Sequence, residues 1–283
     1  MALTGLQRTV CRLLAENRIA SGESYVAGGV ALNELIAASR ISRDVGLFHD
    51  TDEALEASWR ADRLLLEANG FEVLLVRERA TFVEAEVTAG GDRVLLEWAR
   101  DSAFRFFPLQ RHEEFGLTLH PFDLATNKVL ALVGRLEVRD WVDVIATHDR
   151  LQPLGYVAWA ACAKDPGFGP AAILEGAARS GRYSAEEVRA LSFTGDPPDA
   201  GELARAWHRI LDSAREIVSL LPPEEVGTCV LAASGGLFRG TPAEIRGALR
   251  EGAQTEHLPV LIATGRTGTT PDWTMTLLAL GAR

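Results

Sequence analysis

The residues with chemical potential gather in the first half of the chain. Gly28-Gly29 follows the short apolar run Ser24-Tyr25-Val26-Ala27 and precedes a helix-like stretch from Val30 to Ala38. Glycines at a helix start let the backbone come close to a ligand and aim free N–H groups at phosphate oxygens. Next come Arg40-Ile41-Ser42-Arg43-Asp44 on an incoming strand, a later strand carrying Glu97, and helical segments with Lys128, Arg135 and Arg139-Asp140. The spacing of Lys128 and Arg135 places both on one side of a continuous helix, as a polyanion site would need. A Gly-Gly pair before a helix is also what tight packing on a sheet requires, so the information lies in the ordered set.

The elements that position these residues follow from periodicity. Leu3, Leu6, Val10, Leu13 and Leu14 have helical spacing, and Ile41 to Phe48 reads as one strand. Thr51 to Asn69 reads as a long amphipathic helix with Thr51 or Asp52 as N-cap and Gly70 past its end. Phe71 to Arg77, Thr81 to Thr88 and Arg93 to Trp98 are β-rich, the last two joined as a hairpin by Gly90-Gly91. Asp123 to Arg135 and Val138 to Thr147 read as two helices. Beyond them Ala171 to Ser180, Ser184 to Leu191 and Ala200 to Leu220 are helical, and Thr228 to Arg239 predicts a β-hairpin. Strands followed by helices predict an α/β (α+β) fold, a mixed sheet packed by helices over residues 1–152. A mostly helical C-terminal domain over residues 153–283 completes the chain. Trp59, Trp98, Trp141, Trp159, Trp207 and Trp273 are spaced as core or interface residues.

The ordered set resembles the AbiEii-type nucleotidyltransferase family, within the DNA polymerase β-like superfamily. The family pattern begins with a Gly-Gly or Gly-Ser turn and a helix, then a strand bearing Arg-x-Ser/Thr-x-Asp-x-Asp. A third carboxylate on a later strand, a Lys-x-x-Ala-type helix and an Arg-Asp-x-x-Asp helix follow. Here these are Gly28-Gly29, Arg40 to Phe48, Leu95-Leu96-Glu97-Trp98-Ala99, Asp123 to Leu132 with Lys128, and Arg139-Asp140-Trp141-Val142-Asp143. The resemblance covers about residues 20 to 150. It implies transfer of an NMP group from an NTP to a hydroxyl on RNA, protein or a small molecule, with Mg2+ or Mn2+ as cofactor. By that resemblance Asp44 would bridge the metals and Glu97 would help hold one of them. Lys128 would meet the phosphates, and Asp140 would orient Lys128 or cap its helix. Arg40 and Ser42 would support the nucleotide beside Gly28 and Gly29. A toxin-like role with a cognate antitoxin is likewise an implication of the resemblance.

The chain departs from the pattern at two positions. Side chains alternate along a strand, so positions 44 and 46 face the same way. The family's second Asp is Gly46 here, and Glu97 stands where the family more usually has Asp. Asp50 shares their parity, but an extended strand puts it about 20 Å from Asp44 at about 3.3 Å per residue. Two readings follow: a metal-dependent nucleotidyltransferase, or a degenerate member of the same fold acting as a nucleotide- or partner-binding module.

Bulk properties narrow the setting. Hydrophobic residues make up 47% of the 283 and charged residues 24%, enough to bury a sizeable core. The formal net charge of −10 disfavours non-specific nucleic-acid binding, which depends on neutralising phosphates. Cys11, Cys162 and Cys229 form no CxxC pair, which argues against a disulfide framework or zinc knuckle and predicts a reducing cytoplasm. The stretch Met1 to Arg8 lacks the layout of a secretory signal, and no apolar run approaches the roughly 20 residues that cross a bilayer. The histidines show no HxH or HExxH pairing, and no G-x-S-x-G elbow occurs.

Overall fold

The structure is a computed structural model describing residues 3–232, 234–252, 260–263 and 266–267. Thr4 opens the first helix with a reciprocal cap: its hydroxyl accepts from the Gln7 N–H, and the Gln7 side chain accepts from the Thr4 N–H. That helix, α1 (Gly5–Ser21), leads to β1 (Ser24–Ala27) and α2 (Gly28–Leu35). Then come β2 (Arg40–Ile41), β3 (Asp44–His49) and α3 (Asp52–Ala68), the last capped by Thr51, which accepts from the Ala54 N–H. β4 (Glu72–Arg79), β5 (Phe82–Ala89) and β6 (Asp92–Arg100) form a meander. Three short strands follow: β7 (Phe104–Arg105), β8 (Gln110–His112) and β9 (Gly116–Thr118).

Seven of these strands make one mixed sheet in the order β4-β5-β6-β3-β1-β9-β8. The β3–β6 and β1–β9 pairs are parallel, and the other pairs are antiparallel. The expected single strand from Ile41 to Phe48 breaks at Ser42-Arg43. β2 leaves the main sheet and pairs with β10 (Ser192–Phe193), so Arg40 is not on the strand of Asp44. The Gln7 amide supplies the reason: it donates to the Ser42 carbonyl at 2.7 Å and to the Arg43 carbonyl at 3.4 Å, so α1 takes over acceptors a strand neighbour would otherwise satisfy.

Alternation gives the sheet two unlike faces. On one, Val45, Leu47, Val83, Ala85, Val87, Val94, Leu96 and Trp98 are buried, with α1 and α3 packed beside them. Trp98 meets Trp59 edge-on at 4.7 Å between centroids and donates its indole N–H to Asp62 at 3.0 Å. The opposite face carries Asp44, Gly46, Phe48, Glu84, Glu86 and Glu97.

The chain forms two compact units. The first runs through Leu124 and takes in Leu191–Asp196; the second runs from Ala125 to Ala190 and resumes at Pro197. The division falls inside α4 (Pro121–Arg135). The second unit is mostly helical, with α5 (Val138–Arg150), α6 (Leu154–Ala161), α7 (Pro170–Ala178), α8 (Ala185–Arg189), α9 (Ala200–Leu220) and α10 (Pro242–Gly252). Every residue of α6 is buried, so it has no polar face to give it a readable period. It lies so close to α9 that a Cβ on Gly155 would stand 2.7 Å from the Ile217 Cβ. β11 (Cys229–Ala232) makes the expected hairpin only in part, through a bridge between Leu231 and Leu237. Along its length it pairs instead with β12 (Val260–Ala263). Five of the six tryptophans are buried; Trp273 and Ala233 lie outside the described residues. Among the described residues no helix is long and apolar enough to cross a membrane.

Candidate functional site

In the first unit, register decides which side chains meet. Gly46 stands directly beside Glu97, and Asp44 beside Leu95, across the parallel β3–β6 pair. Asp44 and Glu97 therefore share a face as diagonal neighbours. Strand spacing of about 4.8 Å and a two-residue rise of about 6.6 Å put their backbones about 8 Å apart. Both are half-buried. Glu97 is also opposite Glu84 on β5, and Glu84 is opposite Arg77 on β4. One row across five strands thus reads Arg77, Glu84, Glu97, Gly46, Ala27. Like charges directly opposite repel, and the Arg77 guanidinium, 2.8 Å from Glu84, offsets this pair. Sequence reasoning missed Glu84. Its only signal is the period-2 alternation with Glu86, which says nothing of the cross-strand partner.

Gly46 is more than a missing carboxylate. The Phe48 ring, two residues along on the same face, folds back over it. A Cβ built on Gly46 would lie 2.6 Å from Phe48 Cε2, closer than side-chain carbons approach. The ring is further held by Tyr25, its register partner on β1, at 6.4 Å and nearly parallel. It also borders Gly28, whose φ of +77° opens α2 in the left-handed region. No side chain caps the α2 N-terminus at Ala27, and Gly28 and Gly29 are half-buried there. Arg40 and Ser42 are both buried, Arg40 with a guanidinium N–H 3.4 Å from the Ile41 carbonyl. Asp50 is engaged elsewhere: the Arg105 guanidinium reaches both of its oxygens at 2.5 Å, and the Tyr25 hydroxyl lies 3.2 Å away. Behind the sheet, burial pushes the His49 imidazole down to about 4, with its contact to the Ala99 carbonyl working the other way.

The second unit holds a different assembly. Lys128 on α4 is 6% exposed, and its ammonium lies 2.9 Å from Asp140 and 3.1 Å from Asp143 on α5. The two aspartates are three residues apart in the early turns of α5, on one side of the helix and near its positive end. Arg135, at the end of α4, grips Asp140 through two N–H groups at 2.6 and 2.9 Å. Burial works against the Asp140 charge, but the Arg135 and Lys128 bonds outweigh it and hold the carboxyl below the ordinary range. Two cations and two carboxylates make the set formally neutral.

A two-metal centre does not fit the first unit's donors. Two ions side by side need several carboxylate oxygens around them, and the Phe48 ring takes the space of a side chain at position 46 between Asp44 and Phe48 on that face. Among the described residues no three His, Cys, Asp or Glu side chains group so as to hold a metal ion.

No protein-family model matches the chain, and no curated protein matches it. Among solved structures it is similar to a candidate nucleotidyltransferase from H. pylori, at 14% identity over 78% of this chain and 99% of that one, with a TM-score of 0.48. It is also similar to JHP933 from Helicobacter pylori (12% identity, 77% and 95% covered, TM-score 0.45). A third is MenT4, the nucleotidyltransferase toxin Rv2826c of Mycobacterium tuberculosis H37Rv (16% identity, 77% and 85% covered, TM-score 0.44).

Proposed function

We propose that the chain is a nucleotidyltransferase-fold protein with a reduced metal centre, working as a nucleotide-binding module. The observation that carries this reading is the Phe48 ring lying over Gly46. An NTP is the ligand that suits the remaining features: free N–H groups at the start of α2 for phosphate oxygens, with Arg40 and Ser42 supporting the nucleotide or the β2 segment. Lys128 belongs to the second unit, where Asp140 and Asp143 hold its ammonium. No transfer step is routed through a metal, because the second ligand position is closed.

A second reading is favoured by one observation, that Asp44 and Glu97 share a face. On it the chain transfers an NMP group from an NTP to a hydroxyl on RNA, protein or a small molecule, with Mg2+ or Mn2+ at Asp44 and Glu97. Asp140 would then position Lys128. A toxin role, an antitoxin partner and a cytoplasmic location follow from the resemblance and composition alone.

Calorimetric titration of NTP, with and without Mg2+, separates the two. The module reading expects binding by the wild type with little dependence on Mg2+, and Mg2+-linked binding in Gly46→Asp/Phe48→Ala. Strong Mg2+ linkage in the wild type that Asp44→Asn abolishes would support the transferase instead.

A further inference from the structure

β4 is the outer strand of the seven-stranded sheet, and no strand among the described residues pairs with its free side. All of its eight residues but Val73 are exposed. Leu74 (64%), Leu75 (39%) and Val76 (54%) follow one another, and they are three of the six exposed large apolar side chains among the described residues. Proteins usually blunt such an edge with charge, proline or cover. Here the middle of the strand is aliphatic.

Register shows what this edge fits. Glu72, Leu74, Arg77 and Arg79 stand opposite Thr88, Glu86, Glu84 and Phe82, on the carboxylate-bearing face. Val73, Leu75 and Glu78 stand opposite Val87, Ala85 and Val83, on the helix-packed face. In an uninterrupted strand, a two-fold axis between adjacent residues would set side chains of opposite faces against each other. The bulge between Leu75 and Arg77 adds one residue, Val76, and shifts the alternation. The residues on the carboxylate face become symmetric about the midpoint of Leu75 and Val76. Antiparallel pairing about that midpoint sets Glu72 against Arg79, Val73 against Glu78, Leu74 against Arg77 and Leu75 against Val76. The Glu72–Arg79 attraction is made twice, and the Leu74 side chain lies along an arginine stem.

We propose that β4 pairs antiparallel with β4 of a second copy of this chain, joining two sheets into one across an isologous two-fold contact. A second copy is the occupant because the strand is complementary to itself on the carboxylate-bearing face, with Glu72 at one end, Arg77 and Arg79 on either side of Glu78 at the other, and aliphatic residues between. A single strand edge buries little area, so the dimer is weak and concentration-dependent.

Sedimentation velocity over a dilution series tests this with charge reversals at exposed positions. Wild type dimerises as concentration rises. Glu72→Arg alone and Arg79→Glu alone each weaken association about tenfold, by turning both attractive pairs repulsive. The double variant Glu72→Arg/Arg79→Glu regains wild-type association, and an equimolar mixture of the two single variants associates with each other. A wild type that stays monomeric to its solubility limit overturns the proposal. So does a dimer indifferent to either reversal.

Discussion

The two groups of charged residues behave in opposite ways. In the second unit, Lys128, Asp140, Asp143 and Arg135 are matched charge for charge, each buried carboxylate receiving strong donors. In the first unit, Asp44, Glu97 and Glu84 share one sheet face, where an aromatic ring lies in the space a further acid would use. A buried ion set is held by mutual dependence: removing one member strands the others. The strand face is held by alternation and packing, so a carboxylate can be lost from it and a neighbouring ring can fill the gap. Residue types alone mark both groups as candidates; only the surroundings tell a matched ion set from an open carboxylate face.

The largest effect that would test the contrast is at Asp140. Asp140→Ala should destabilise the protein by about 3–5 kcal/mol in denaturant unfolding, because buried Lys128 loses one partner and Arg135 its fork. A loss under about 1 kcal/mol would show the set to be no more than a surface network. Next is Gly46→Asp, which should cost about 1–3 kcal/mol by overpacking against Phe48. Adding Phe48→Ala should remove that clash, so the clash energy appears as non-additivity in a double-mutant cycle.

Acid should act on His49 and Asp140 at different pH. The His49 folded value of about 4 lies below the unfolded value of about 6.5, so the unfolded chain binds a proton that the folded chain refuses. The His49 contribution is then full above about pH 6.5 and falls as pH drops toward 4, by about 2 kcal/mol between pH 7 and 5. The depressed Asp140 carboxyl contributes stability that is full above about pH 4 and lost only as pH falls further, through its folded value. His49→Gln should flatten the slope between pH 7 and 5; an unchanged slope would remove His49 from the account. Smallest is Arg135→Ala, expected to cost about 1 kcal/mol, because its side chain is 44% exposed and Asp140 keeps Lys128 as a partner.

Legibility in the sequence followed physical cause. α3 and α9 could be read because apolar residues recur at helical spacing, and α3 also opens on the capping residue Thr51. α6 could not, since Leu154-Gly155-Tyr156-Val157-Ala158-Trp159-Ala160-Ala161 is buried on all sides. The β2–β3 break was hidden because nothing at Ser42-Arg43 punctuates the chain; the Gln7 amide, 35 residues away, makes it. The order of Gly28, Asp44, Glu97 and Lys128 along the chain was visible. The Glu84–Glu97 pairing and the direction of the Phe48 ring were not, because both are set by cross-strand register and packing.

The most direct measurement is transfer itself. Wild-type protein, incubated with α-labelled NTPs, Mg2+ or Mn2+ and a mixture of RNA and protein acceptors, should label nothing above background, and Asp44→Asn should look the same. Labelling by the wild type that Asp44→Asn abolishes would contradict the account, since it would mean that the face under Phe48 still holds the metals.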